Sequence, residues 1–420
     1  MGIDVIKVRG EIPLYGKVRI SGAKNAALVV LAATLLAEGE SLIENVPRIQ
    51  DVEILLALLR GIGAEVEWRE ENTVAVQVPD GIRTSVPYDL CAQLRASNLL
   101  LGSIIGRKGE AEISLPGGCA IGSRPMDLHL KGLQNLGYET VLEHGFIRGK
   151  AVAPRGGRIY LDFPSVGATE NIMMTASLTP GTTIIENAAK EPEIVDLANF
   201  LNAMGGRVRG TGTDIIKIEG VPRLRGIRYA VIPDRIEAGT FMAAAAITRG
   251  EVILENVIPT HLQPVTAKLR EAGVKIEEVE DTIHVRTPAD LHPVDIKTMP
   301  YPGFPTDMQS QMMALLCLAA GTSIIVENVF ENRLQVADEL SRMGARLKVE
   351  GRMAIVEGVH RLCGTCLRAT DLRAGAALLV AGLGAEGESE VTHATHIYRG
   401  YENIIQKLAD LGAQVSAAYE

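Results

Sequence analysis

The feature that most restricts the fold of this chain is a repeat. A short amphipathic helix that stops at a glycine recurs six times, ending at Gly63, Gly137, Gly205, Gly273, Gly344 and Gly412. Successive glycines lie 74, 68, 68, 71 and 68 residues apart, so six units of about 70 residues fill almost all of the 420-residue chain. In the first copy Val52, Leu55, Leu56 and Leu59 stand at i, i+3, i+4 and i+7, one face of a helix. The later copies cover 128–137, 194–205, 265–273, 336–344 and 404–412.

Other parts recur with the helix. A strand-like phrase precedes it, as in Leu42-Ile43-Glu44-Asn45, Ile184-Ile185-Glu186-Asn187, Ile253-Leu254-Glu255-Asn256 and Ile325-Val326-Glu327-Asn328. An alternating strand follows the glycine, as in Ala64-Glu65-Val66-Glu67. A further helix is apolar nearly all round, at 26–36, 99–105, 172–178, 241–247, 312–320 and 374–383, and must be buried within its domain. The pattern predicts mixed α/β units that pack sheets around internal helices. An open solenoid is the alternative, although it would usually want atypical end repeats. With 47% hydrophobic residues the chain can bury a large core and is expected to form two domains.

Composition removes several function classes. The net charge is -9, only 4% of residues are aromatic and Trp68 is the single tryptophan, so no basic, aromatic-studded surface for nucleic acid is expected. Apolar runs are short and broken by glycine and charge, so no membrane span is expected. The N-terminus lacks the basic-then-apolar layout of a signal peptide, and Ile6 breaks the myristoylation pattern, which makes the cytoplasm the default location. Five scattered cysteines (Cys91, Cys119, Cys317, Cys363, Cys366) do not form a secreted disulfide framework. Cys363 and Cys366 have C-x-x-C spacing without a second pair, and His393 and His396 lack a carboxylate at helical spacing, so no metal is expected.

The chemistry concentrates at the starts of the apolar helices and in one loop. The helix starts are Ser21-Gly22-Ala23-Lys24-Asn25, Arg95-Ala96-Ser97, Ser165-Val166-Gly167-Ala168-Thr169, Asp234-Arg235-Ile236-Glu237, Thr306-Asp307-Met308 and Asp371-Leu372-Arg373. Ser21, Ser165 and Thr306 read as helix caps. Lys24, Arg95 and Arg373 do not, since a cation is unfavourable at a positive helix end unless an anion is bound there. The loop, Leu115-Pro116-Gly117-Gly118-Cys119-Ala120-Ile121-Gly122-Ser123-Arg124-Pro125, has too much glycine and proline for a helix interior or central strand. It carries one thiol and one guanidinium, and Pro125 with Ser123 as cap predicts a helix start at its end.

Six segments in order over the whole chain resemble the UDP-N-acetylglucosamine 1-carboxyvinyltransferase family. They are Ser21 to Ala27, Pro116 to Pro125, Phe304-Pro305-Thr306-Asp307-Met308-Gln309, Phe330-Glu331-Asn332-Arg333, Ala369-Thr370-Asp371-Leu372-Arg373-Ala374 and Ile397-Tyr398-Arg399-Gly400-Tyr401-Glu402. The resemblance implies an inside-out α/β barrel: two domains of three βαβαββ units each, with the active site in the cleft between them. Residues 1–21 would join 233–420 in one domain, and 22–232 would form the other with the Cys119 loop. The implied reaction moves enolpyruvyl from phosphoenolpyruvate to the 3'-hydroxyl of UDP-N-acetylglucosamine, the first committed step of peptidoglycan synthesis. It needs no cofactor, and the family is usually monomeric.

Roles follow residue by residue from the same resemblance. Cys119 matches the proton donor and the site of a covalent phosphoenolpyruvate adduct and of fosfomycin alkylation. A thiol of pKa about 8.5 is mostly protonated at neutral pH, while nearby cations pull it toward thiolate. Asp307 matches the base or orienter of the sugar hydroxyl. Lys24, Asn25, Arg124, Arg373 and Arg399 match contacts to phosphoenolpyruvate. Arg95, Arg124, Pro125, Met126, Asp127, Leu128, Ser165, Val166, Gly167, Asp307 and Val329 correspond to the nucleotide-sugar site. Arg333 and Asp371 would stand behind these residues, or simply pair structurally. Phe163 is a departure, because some members carry lysine there. The sister family of 5-enolpyruvylshikimate-3-phosphate synthases shares the fold and donor but lacks the Gly-Gly-Cys loop. A non-catalytic sugar-nucleotide binder would not need Cys119 or Asp307.

Overall fold

All six repeats adopt one local plan in the computed structural model, which describes residues 5–86, 88–115, 121–122, 125–287 and 290–418. The fifth repeat shows it most simply. An edge strand, Ile296–Lys297, leads through the buried helix Gln309–Leu316 to Thr322–Val326, which lies parallel to it. The amphipathic helix Val336–Arg342 follows, and the hairpin Arg346–Glu350 and Met353–Glu357 returns antiparallel to Thr322–Val326. All six helix-stopping glycines have φ between +84° and +104°, the left-handed conformation that lets the chain leave a helix sharply.

The chain departs from this plan at two crossings and at its start. Strand Tyr15–Arg19 runs into the buried helix Lys24–Ala33, yet it pairs in parallel with Glu251–Glu255 of the fourth repeat. Conversely, Arg228–Ala230 runs into Arg235–Ile247 but pairs with Glu40–Glu44 of the first. Strand Val5–Arg9 inserts between Glu388–Thr392 and Gln414–Ala418 and completes the sheet of the sixth repeat. The result is two compact units. One holds residues 5–21, 121–122 and 233–418, and the other holds 22–115 and 125–232. A sheet strand shared by the two ends of the chain is incompatible with an open solenoid.

Within each unit the apolar helices form the centre. In the unit containing residue 24, helix Leu99–Lys108 packs on both Lys24–Ala33 and Val166–Leu178. The approach to Val166–Leu178 needs a glycine: a Cβ at Gly102 would lie 2.5 Å from the Asn171 carbonyl oxygen. In the other unit Leu372–Leu383 packs against Gln309–Leu316 and Arg235–Ile247. These helices are buried on all sides, and each fully buried Leu, Ile or Met contributes about 1.5–3 kcal/mol relative to exposure. The surrounding strands alternate buried and exposed residues, as the pleat requires.

Two of the three predicted caps are corrected. Ser165 caps Val166–Leu178 by accepting from the Ala168 N–H at 3.3 Å. Ser21 does not cap Lys24–Ala33, whose N-cap is Ala23 without a side-chain bond. Its hydroxyl instead donates to Glu402 (2.7 Å) and accepts from Lys407 (2.6 Å), while its N–H donates to Glu237 (2.8 Å). Thr306 lies inside the 3-10 turn Thr306–Met308 and gives its hydroxyl to Glu327. Two other buried helices are capped by carboxylates. Asp234 accepts from Ile236 and Glu237 N–H, and Asp371 accepts from Arg373 and Ala374 N–H. The helix after the loop also starts later than expected, at Asp127 with Met126 as N-cap; Ser123 lies outside the described residues.

Candidate functional site

The unit containing residue 307 gathers charge at the starts of its buried helices. Asp307 sits in the turn that opens Gln309–Leu316, and its carboxylate is held by two guanidiniums. Arg333 Nη2 reaches Oδ1 at 2.8 Å and Arg373 Nη2 reaches Oδ2 at 3.0 Å. Both arginine side chains are buried (3% and 5% exposed), whereas Asp307 keeps 24% of its surface open. Burial alone would raise the carboxyl pKa, but Arg373, Arg333 and Arg235 together hold it well below the usual carboxylate range. A buried, bidentate-capable clamp of this kind fixes the carboxylate's direction as well as its charge.

Supporting groups complete this cluster. The Arg373 guanidinium lies 5.5 Å above the ring of Tyr401, whose hydroxyl meets Thr240 at 2.9 Å and Gln311 Nε2 at 3.3 Å. Arg373 Nη1 is buried and finds no acceptor among the described residues. Glu327, with no exposed surface, accepts from the hydroxyls of Thr298 and Thr306 and from the N–H groups of Val329 and Phe330. Arg399 follows the short helix Thr395–Tyr398 and is half-buried.

The other unit gathers mostly neutral polar groups. Lys24 is the first residue of Lys24–Ala33, whose first turn has no acidic residue, and its Nζ contacts Asp51 Oδ2 at 2.6 Å. Asp51 is buried in the first turn of Gln50–Gly61; Asn25 is exposed. Around Asn171, a network ties the second and third repeats together. Its Oδ1 accepts from Gly102 N–H (2.6 Å), and its Nδ2 reaches Asn98 C=O (3.1 Å), His129 Nδ1 (2.9 Å) and Gly167 C=O (3.3 Å). An amide nitrogen only donates, so His129 Nδ1 accepts and its proton sits on Nε2. Burial, then the nearby Arg95, lowers the His129 pKa to about 3 and keeps the ring neutral. Asn98 Nδ2 also contacts Met126 Sδ at 3.7 Å, and a Cβ at Gly167 would come within 3.1 Å of the His129 ring.

The sequence-expected residues therefore fall into separate groups. Asp307, Arg333 and Arg373 meet directly, and Val329 is tied to the same cluster through Glu327. Asp371 acts as a helix cap. Arg95, Met126, Ser165, Val166 and Gly167 lie around the Asn171 network in the other unit, with Asp127 and Leu128 in the helix after Met126; Pro125 is exposed before it. Phe163 is about half-exposed. Cys119 and Arg124 lie outside the described residues. Sequence reasoning missed Asp51, His129, Asn171 and Glu327. Only Glu327 left a readable trace, a strand phrase one residue longer than its counterparts.

Among the described residues, no three His, Cys, Asp or Glu side chains gather as metal ligands, and no helix is long and apolar enough to cross a membrane. Cys363 and Cys366 are exposed free thiols.

Comparison with known proteins places the whole chain. Residues 8–408 match the family model of EPSP synthase (3-phosphoshikimate 1-carboxyvinyltransferase). UDP-N-acetylglucosamine 1-carboxyvinyltransferase 2 of Carboxydothermus hydrogenoformans is 54% identical over 97% of this chain and 98% of its own. UDP-N-acetylglucosamine 1-carboxyvinyltransferase 1 of Caldanaerobacter subterraneus subsp. tengcongensis is 53% identical over 96% and 97%. Among solved structures, the enolpyruvyl transferase NikO from Streptomyces tendae superposes with a TM-score of 0.88 at 27% identity over the full length of both chains. EPSP synthase from Acinetobacter baumannii gives 0.77 at 20% identity over 99% of this chain and all of its own, a likeness of fold alone. The fold is the inside-out α/β barrel of these enzymes.

Proposed function

This chain belongs to the EPSP synthase family and, within it, to the UDP-N-acetylglucosamine 1-carboxyvinyltransferases, and from that membership we propose that it transfers enolpyruvyl from phosphoenolpyruvate to the 3'-hydroxyl of UDP-N-acetylglucosamine. The observation that carries the reading is Asp307, a partly open carboxylate clamped by two buried arginines in a chain that is 54% identical to a relative of that name.

The reaction is an addition followed by an elimination. The sugar oxygen loses its hydroxyl proton and bonds to C2 of phosphoenolpyruvate while C3 takes a proton from the thiol. Then a C3 proton returns to that sulfur, phosphate leaves as hydrogen phosphate, accounting for the hydroxyl proton, and the double bond re-forms. Cys119 is the donor to C3, on the strength of the family resemblance. Asp307 faces the acceptor hydroxyl. Its strongly depressed pKa makes it a poor proton store, so its work is to orient the hydroxyl and to balance the positive charge that develops as the oxygen attacks. Lys24, at the positive end that opens Lys24–Ala33, suits the phosphate, and the family resemblance gives Asn25, Arg124 and Arg399 as further contacts to phosphoenolpyruvate. Arg373, which holds Asp307 through Nη2, is assigned to phosphoenolpyruvate by the family resemblance. The Asn171 network braces Gly167 and Met126, which this reading assigns with Arg95, Arg124, Pro125, Asp127, Leu128, Ser165, Val166 and Val329 to the nucleotide-sugar.

On this reading the enzyme works in the cytoplasm as a monomer, its product feeds peptidoglycan synthesis, and fosfomycin alkylates Cys119. Steady-state phosphate release tests it. Turnover with phosphoenolpyruvate and UDP-N-acetylglucosamine is expected. Turnover only with shikimate 3-phosphate would transfer the chain to the sister activity, and none with either acceptor would leave a binding protein.

A further inference from the structure

Four repeats end their central strand in Glu-Asn, and one of the four is out of step. Asn45, Asn187 and Asn256 stand six positions after Gly39, Gly181 and Gly250, but Asn328 stands seven positions after Gly321. Side chains alternate across a strand, so one extra residue sends the glutamate to the opposite face. In the three shorter copies the glutamate is on the outer face and pairs with a cation of the adjoining parallel strand. Glu44 meets Arg228 at 3.3 Å, Glu186 meets Arg158 at 2.9 Å and Glu255 meets Lys17 at 3.0 Å. In the fifth repeat Val326 ends the strand in that outer position, and Glu327 points inward with no exposed surface.

The asparagine is not disturbed by the shift. Asn45, Asn187 and Asn256 donate to the carbonyls of Val231, Leu161 and Ile20 on the neighbouring strand at 2.7–2.8 Å, and Asn328 donates to Thr298 at 3.0 Å. The strand clamp is therefore conserved while the glutamate changes environment. Burying a carboxylate is costly unless hydrogen bonds replace the lost water, and here both oxygens accept. Oε1 accepts from Thr298 Oγ1 (2.9 Å), Val329 N (2.8 Å) and Phe330 N (3.1 Å); Oε2 accepts from Thr306 Oγ1 (2.8 Å). Thr306 Oγ1 in turn accepts from Arg333 Nη1 at 3.2 Å, and Arg333 Nη2 reaches Asp307 at 2.8 Å.

We infer that Glu327 is a positioning residue for the transfer: through Thr306 and Arg333 it aims the Asp307 carboxylate, and through two backbone amides it sets Val329 for the nucleotide-sugar. The inference rests on the functional reading above. It accounts for a buried, four-fold bonded carboxylate where three sister repeats keep a surface ion pair.

The test compares phosphate release by wild type, Glu327→Gln, Thr306→Val, Thr306→Ser and Glu255→Gln, with thermal unfolding as the check on folding. Thr306→Val cuts only the path to Asp307, so kcat should fall at least tenfold with KM for UDP-N-acetylglucosamine within threefold. Thr306→Ser should restore kcat to within threefold. Glu327→Gln loosens both paths and should lower kcat and raise that KM together, while Glu255→Gln should match wild type. If Glu327→Gln does not fold, the threonine pair decides. Folded Thr306→Val with wild-type kcat, or no rescue by serine, overturns the positioning role. A wild type that releases no phosphate overturns the functional reading, and this inference with it.

Discussion

The two units grow from one repeat, yet their polar clusters are of different kinds. Around Asp307 the groups are ionic, with one carboxylate between two buried guanidiniums and a third arginine adding to the field. Around Asn171 they are neutral, with an amide, an uncharged imidazole and backbone carbonyls held in one network. The first can respond to charge that appears during a reaction; the second can hold shape without altering any charge. The same βαβαββ unit therefore builds an ionic cluster in one place and a neutral network in the other, which the proposed function assigns to the chemistry and to recognition of the sugar nucleotide.

The contrast can be broken by substitution. Asp307→Ala leaves Arg333 and Arg373 buried and unpaired, so urea unfolding should show a loss of about 3–5 kcal/mol. Asn171→Ala strips the partner from the buried Gly102 N–H and should cost about 2–3 kcal/mol. For that variant KM for UDP-N-acetylglucosamine should rise, with kcat within threefold of wild type; the reverse pattern would erase the distinction between the clusters.

His129 sharpens it through pH. Its folded pKa of about 3 lies below the unfolded value of about 6.5. Between those values the unfolded chain binds a proton that the folded one excludes, so acidification through this window destabilises the fold by about 1.4 kcal/mol per pH unit. From pH 7 to pH 5, wild type should lose about 2 kcal/mol more than His129→Gln in urea unfolding. An equal loss in both would mean the imidazole is charged in the fold. The smallest effect is Ser165→Ala, which removes one cap bond at 3.3 Å and should cost about 1 kcal/mol by the same measurement.

Local rules reached much of the architecture and little of the cluster wiring. The helix-stopping glycines and the all-round apolar helices were legible because their patterns are set by backbone handedness and burial, which act within one repeat. The hydroxyl caps at Ser21 and Thr306 were not, because tertiary partners outcompete the local amides: Glu402 and Lys407 of another repeat for Ser21, and Glu327, twenty-one residues on in the same repeat, for Thr306. Asp51 and His129 look like ordinary helix residues until tertiary packing brings Lys24 and Asn171 to them. Glu327 is intermediate. Its extra residue stands in the sequence, but the meaning of a register shift depends on which face of the strand is covered.

The most direct test of the account is the kcat of Asp307→Asn for phosphate release from phosphoenolpyruvate with UDP-N-acetylglucosamine. A carboxylate that orients the acceptor hydroxyl and balances its developing charge predicts a fall of about 10²-fold or more, with KM for the sugar nucleotide within threefold. A folded Asp307→Asn enzyme with kcat within threefold of wild type would contradict it.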